Sequence, residues 1–453
     1  MRCWLIVLQV KPFFYLNNSM RFYTFSLFRY LSIVCIALAI PGYAIGQATA
    51  PLAKNHSKFL GNIIPHFVPA QYTQLWNQLT PENAGKWGSI ESTRNTMSWG
   101  NLDRAYKLAY DNGQKFRYHT FVWGSQEPGW LKNITPAQQL VELEEFMSQV
   151  AQRYPVIHYI DVVNEPLHAP SSMREALGGN GATGWDWVIR SFELARKYFP
   201  NSELHLNDYH IMAGWTDDDL TKYLQIIKLL NDRKLIDGIG IQSHHFNMNL
   251  VSVSHMKTKL DRLAAIGIPV YVTELDITGK PAWESDEVYR TYRDQNPVED
   301  ENRQYERYRD KFPVFWEHEG VAGITLWGYI EGTTWAVGSG LMNANGTERK
   351  ALTWLRQYMA SEKSQVANKF LATSVEISDE EPEVVVFPNP ATGYLYVNAR
   401  TATAAELFDQ SGRVLVRISD FTNKVDVENL PAGVYLLKVT TPGGISTQKI
   451  LIQ

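Results

Sequence analysis

From about Leu52 to Ala360, short apolar and β-branched runs alternate with longer segments whose apolar residues recur every three or four positions. This is the pattern of βα units that build a parallel sheet. Eight runs read as strands: FLGNIIP from Phe59, QLTPEN ending at Asn83, KFRYHTFVW ending at Trp123, HYIDVVNE ending at Glu165, ELHLND ending at Asp208, GIGIQSH ending at His244, PVYVTELD ending at Asp276 and GITLWG ending at Gly328. Helical spacing fills the intervals, as in Ala137 to Arg153, Trp185 to Phe199, Asp217 to Leu230 and Val251 to Ala265. Eight such units predict an α/β fold, a closed (β/α)8 or TIM barrel, which needs about 250 residues before insertions. An open doubly wound sheet competes with it, but GNIIPHF is not the glycine-rich phosphate loop expected after a first strand of that kind.

The pattern changes at both ends of this region. Arg21 and Arg29 precede an apolar stretch from Leu31 to Ile40, followed by Pro41, Gly42 and the small residues Ala44 and Gly46. This order reads as a secretory signal over residues 1–46, with Met20 as a possible alternative start, and the stretch is shorter than the about 20 residues that span a bilayer. The barrel is then expected over 47–360. From 361 to 383 aromatics nearly vanish and polar residues accumulate up to the acidic SDEEPE, a solvated linker. From 384 to 453 the runs VVVF, YLYVNA, RVLVRI, VYLLKV and KILI are separated by Pro, Gly and Ser turn signals, which predicts a small C-terminal all-β sandwich. The segments PNP at 388–390, DQSGRV at 409–414, LPAGVYLLKV at 430–439 and the final KILI resemble the type A C-terminal sorting domain of the type IX secretion system. That resemblance implies the type IX machinery of a Gram-negative bacterium as a partner, and a protein that is secreted or attached to the cell surface. A carbohydrate-binding sandwich is the plainer alternative, weakened by the absence of Trp after Trp354.

Composition narrows the chemistry. The chain has 453 residues, with 43 Lys and Arg against 47 Asp and Glu, a formal charge of −4 and no long basic run. Nucleic-acid binding and stable membrane insertion are therefore not expected. The only cysteines, Cys3 and Cys35, precede the expected cleavage point, so the exported protein is expected to carry none. All but one of the 14 Trp lie between Trp76 and Trp354, which suggests stacking surfaces in the barrel region.

Polar residues gather at the strand ends, the face of a barrel where active sites are built. Two carboxylates stand out there, Glu165 in DVVNEP and Glu274 in VTELD. Paired carboxylates at a concave mouth are the minimal equipment for glycoside hydrolysis: one protonates the departing oxygen, and the other attacks the anomeric carbon or activates water.

The segments TPENAGKW (80–87), YHTFVW (118–123), IDVVNEP (160–166), LNDY (206–209), GIGIQSH (238–244), YVTELDI (271–277) and LWGYIEGTTW (326–335) occur in the order of, and resemble, family 10 glycoside hydrolases, the endo-1,4-β-xylanases. The resemblance implies a retaining enzyme without metal or organic cofactor that acts on xylan and xylo-oligosaccharides. It implies Glu165 as general acid/base and Glu274 as nucleophile. Asn164 is implied on the sugar 2-hydroxyl, and His244 on Glu274 with Asp276 behind it. Glu82, Asn83, Lys86, His119, Gln126 and Gln242 match polar substrate-binding positions, while Trp87, Trp123, Trp327 and Trp335 match aromatics that line or floor the cleft. His244 is taken as inward and His245 as outward, because neighbours on a strand face opposite ways. The sequence departs from the family pattern at Gly85, Gly124 and Ala336, where Met, His and Arg are usual. An insertion from about Gly279 to Asn302, rich in Tyr, Arg, Asp and Glu, is expected to wall the product side of the cleft. A β-1,4-glucanase or mixed xylanase/cellulase remains open, as does a noncatalytic xylan-binding surface protein.

Overall fold

The computed structural model describes residues 50–281, 285–366, 384–399, 402–418 and 424–453. The expected signal segment with both cysteines and most of the expected linker lie outside the described residues. Among the described residues no helix is long and apolar enough to cross a membrane.

Eight parallel strands close into a barrel in chain order: β1 (Phe59–Ile64), β2 (Gln78–Pro81), β3 (Lys115–Val122), β4 (Tyr159–Asn164), β5 (Glu203–Asp208), β6 (Gly238–Ile241), β7 (Val270–Leu275) and β8 (Val321–Leu326). Closure runs through β1 and β8, with Phe59 opposite Gly323 and Asn62 opposite Leu326. Amphipathic helices wrap the strands. The helix Pro136–Arg153 shows why such a segment forms: Thr135 and Gln138 make a capping box, Pro136 opens the helix, and Leu143, Phe146, Met147 and Val150 face the core.

The barrel interior is not purely apolar. Arg117 of β3 is fully buried, bonds Asp161 of β4 at 2.7 Å and His205 of β5 at 2.9 Å, and lies over the Tyr159 and Tyr271 rings. A buried cation needs such partners, and this charged layer supports the mouth above it. Gly240 of β6 leaves room for the layer at the mouth, since a β-carbon there would approach the Asn207 side chain to 2.7 Å.

Beyond β7 the polar insertion folds into helices Asp286–Gln295 and Pro297–Glu317. The short helix Glu362–Val366 continues the barrel into the stretch read as linker, with Trp316 Nε1 donating to the Ser364 carbonyl at 3.1 Å. The C-terminal strands form two antiparallel sheets, one of three strands and one of four. They share a core of Leu395, Val397, Leu407, Leu437, Val439 and Ile450, and no Trp takes part.

Candidate active site

Both carboxylates stand where strand register breaks. β4 is irregular between Asp161 and Val163 and β7 between Val272 and Leu275, just ahead of or around Glu165 and Glu274. A local irregularity re-aims the side chains that follow it. Glu165 also has a left-handed backbone (φ 54°), and its carbonyl accepts from the amides of His168 and Ala169, which turns the chain out of the barrel. Left-handed backbone at a residue with a β-carbon is sparsely populated and gathers at functional sites.

Glu274 is buried, and each of its oxygens is held. Asn207 Nδ2 donates to Oε1 at 2.7 Å and His244 Nε2 to Oε2 at 3.2 Å. His244 Nδ1 meets Asp276 at 2.7 Å, and Trp335 Nε1 donates to the same carboxylate at 3.0 Å. Burial pulls the His244 pKa down, but Asp276 and Glu274 outweigh it and raise the value to about 10, so the ring is an imidazolium with both N–H groups donating. Asp276 lies well below the usual carboxylate range: burial opposes ionisation, and the charges of His244 and His245 overcome it. Glu274 is lowered too, its burial outweighed by the His244 hydrogen bond and by the charges of His119 and His244.

Glu165 is only half-buried. Trp123 Nε1 donates to Oε2 at 2.8 Å and Gln242 Nε2 to Oε1 at 2.9 Å, with Asn164 Nδ2 more distant at 3.4 Å. The carbonyl oxygen of the Asn164 side chain accepts from Asn207 at 2.9 Å and from Gln242 at 3.3 Å. Its Nδ2 is thus left as the group able to donate to a ligand. Asn207 bonds Asn164 and Glu274 together, and Thr273 fixes its orientation through a 2.7 Å bond to Oδ1. Nothing in the strand pattern distinguished Asn207 from other polar strand-end residues.

Around the pair, Lys86 Nζ donates to Asn83 at 2.8 Å and lies 4.8 Å from the centre of the Trp123 ring. Burial lowers the Lys86 pKa, opposed by the charges of Glu274, Glu82 and Glu165. Burial also raises Glu82, with Lys86 opposing. His119 is held by Asp161 at 3.0 Å and meets the edge of Trp327, whose buried ring also packs against His244. Trp335, 49% exposed, is the open aromatic of the mouth and packs edge-on against His244 at 4.8 Å.

Two expectations, at Trp87 and His245, are corrected. Trp87 is 1% exposed, stacks on Phe146 at 4.8 Å and donates to Glu91, so it supports the wall from behind and does not line the cleft. The Gln126 side chain is exposed in the loop after β3, and its carbonyl accepts from the Gly88 amide. His245 is not turned away: its Nδ1 reaches Asp276 at 2.9 Å beside His244. Strand alternation had already ended, because β6 stops at Ile241 and Ser243 (φ 60°) turns the chain into the short helix His245–Met248.

Two of the departures from the family pattern are also explained by packing. A β-carbon at Gly85 would meet the His119 carbonyl at 2.5 Å, and one at Gly124 would meet the Pro170 carbonyl at 2.4 Å. The loop after β4 therefore fills the space in which a residue-124 side chain would begin.

Comparison with known proteins gives two family matches: glycosyl hydrolase family 10 over residues 45–358, and the secretion system C-terminal sorting domain over 385–453. The chain is 39% identical over 302 residues to endo-1,4-β-xylanase B of Cellvibrio japonicus, covering 66% of this chain and 45% of that protein. It is 33% identical over 273 residues to endo-1,4-β-xylanase A of Caldicellulosiruptor saccharolyticus, covering 57% of this chain and 77% of that one. The chain thus spans less than half the length of the first relative and about three quarters of the second. Among solved structures, a GH10 endoxylanase from a sugarcane soil metagenome has a TM-score of 0.60 at 21% identity, covering 69% of this chain and 100% of that one. Xylanase 10B of Thermotoga petrophila, solved with xylobiose, has a TM-score of 0.57 at 21% identity, covering 69% and 98%. At these identities the likeness concerns the fold.

Proposed function

The chain belongs to glycosyl hydrolase family 10, and on that premise we propose that it is a retaining endo-1,4-β-xylanase that cleaves internal bonds of xylan and xylo-oligosaccharides. The observation that carries the reading is Glu274, buried and ionised between Asn207 and the His244 imidazolium, with Glu165 tied to it through Asn164 and Asn207.

Glu274 attacks the anomeric carbon while Glu165 gives its proton to the departing glycosidic oxygen, which forms a glycosyl ester and releases the leaving chain. Glu165, now a carboxylate, takes a proton from water, and that water displaces Glu274 from the face vacated by the leaving group. Two inversions give net retention. His244 holds one oxygen of Glu274 and Asn207 the other, so the nucleophile arrives already oriented. Asn164 Nδ2 donates to the sugar 2-hydroxyl, a contact that strengthens as charge develops on the ring. Lys86, Glu82, Asn83 and His119 supply donors and acceptors for the remaining hydroxyls, and Trp123, Trp327 and Trp335 supply apolar faces.

The sorting domain directs the protein to secretion or cell-surface attachment through type IX machinery. A reducing-sugar assay on plain and substituted xylans, run beside cellulose and mixed-linkage glucan, tests the substrate. Release from xylan well above release from the glucans is expected, and a preference for glucan would overturn the xylanase reading.

A further inference from the structure

Beside the cleft, two successive strand-to-helix connections bring metal-ligating groups together. His168 follows β4, His210 follows β5, and Asp219 lies in the first turn of helix Asp218–Asn231. One ligand atom from each lies within 4.8 Å of the others. His168 Nε2 is 3.4 Å from Asp219 Oδ2, and His210 Nδ1 is 3.7 Å from the same oxygen. Ligand atoms around a tetrahedral zinc, at about 2.0–2.1 Å each, stand about 3.4 Å apart, so small adjustments seat an ion among these three.

The surroundings favour the same reading. The other nitrogen of His168, Nδ1, is bonded to Asp208 at 2.7 Å. Asp208 is fully buried and is itself fixed by the amides of Leu167 and Tyr209. A carboxylate behind a histidine fixes the ring and leaves the far nitrogen aimed at a metal. All three side chains are partly exposed, 17%, 32% and 21% for His168, His210 and Asp219, which leaves room for water as a further ligand.

We infer that His168, His210 and Asp219 form a site for a transition-metal dication of the zinc type, which clamps the connections after β4 and β5 at the rim of the cleft. The ion takes no part in the chemistry. Its place gives it leverage on the rim, because His168 stacks on Tyr209 with ring centres 4.0 Å apart.

The test uses the full chain without a histidine tag, stripped with chelator, titrated calorimetrically with zinc chloride and melted with and without it. One zinc per chain and a higher melting temperature with zinc are expected. His210→Ala and Asp219→Asn should each weaken binding by about 10-fold or more, while circular dichroism and activity in chelator match the unsubstituted protein. Cobalt bound to the unsubstituted chain should show visible ligand-field bands that are lost in His210→Ala. Absence of zinc binding by the unsubstituted chain, or equal binding by a His210→Ala/Asp219→Asn double variant, would overturn the site and leave His168 as an ion-pair bridge between Asp208 and Asp219.

Discussion

The two carboxylates share one hydrogen-bonded network at the barrel mouth but sit in different surroundings. On the β7 side Glu274 is buried, both its oxygens are taken, and one partner is a charged imidazolium backed by Asp276. On the β4 side Glu165 is half-buried and held by the neutral N–H groups of Trp123 and Gln242. A nucleophile gains from being ionised, oriented and shielded from water, whereas a group that gives and later takes a proton must exchange it with the leaving group and with water. Burial and charge thus match the two proposed roles, and the asymmetry can be attacked one side at a time.

The largest effect is expected from Glu274→Ala, which removes the proposed nucleophile: turnover of xylan should fall by about 10⁴-fold or more, beyond what a single proton donor contributes, in an initial-rate assay. Glu165→Ala should cost about 10²–10⁴-fold on xylan and much less on an aryl xyloside whose leaving group needs no proton. Equal losses on both substrates would erase the distinction between the two sides.

His244→Asn tests the charged partner through pH. Loss of the imidazolium should raise the Glu274 pKa and move the acid limb of kcat/KM to higher pH, with a smaller fall in the maximum. The same residue links stability to pH. Its folded-state pKa of about 10 lies above its ordinary value, so the folded form holds the extra proton between roughly pH 6.5 and 10. The stability from His244 is therefore complete below about pH 6.5 and lost as pH rises through about 10. Melting curves should show the largest gap between unsubstituted and His244→Asn protein at the low end of that window, closing toward pH 10. Lys58 and Lys311, each lowered to about 8 by burial, titrate in the same range in both proteins and cancel in the difference. The smallest effect is expected from Trp123→Phe, which removes one hydrogen bond to Glu165 and keeps a ring under Lys86: about 10-fold in kcat/KM.

The eight strands were legible because each is an apolar run closed by polar residues, and Glu165 and Glu274 because both end such runs. What escaped the sequence depends on contacts between distant strands. Arg117, Asp161 and His205 each sit inside an apolar-looking strand, and only closure of the barrel brings them into one charged layer. Asn207 is one polar strand end among several until Asn164 and Glu274 are placed on either side of it. His245 escaped because a period of two was carried past the end of its strand, and Trp87 because a motif position does not say which way a ring points.

The division of labour between Glu274 and Glu165 is tested most directly by following the anomeric signals of fresh product by proton NMR during the first turnovers on xylo-oligosaccharide. The β-anomer should appear first, with the α-anomer growing in only at the rate of mutarotation. An α-anomer present from the start would mean direct displacement by water, and would contradict the assignment of Glu274 as a nucleophile.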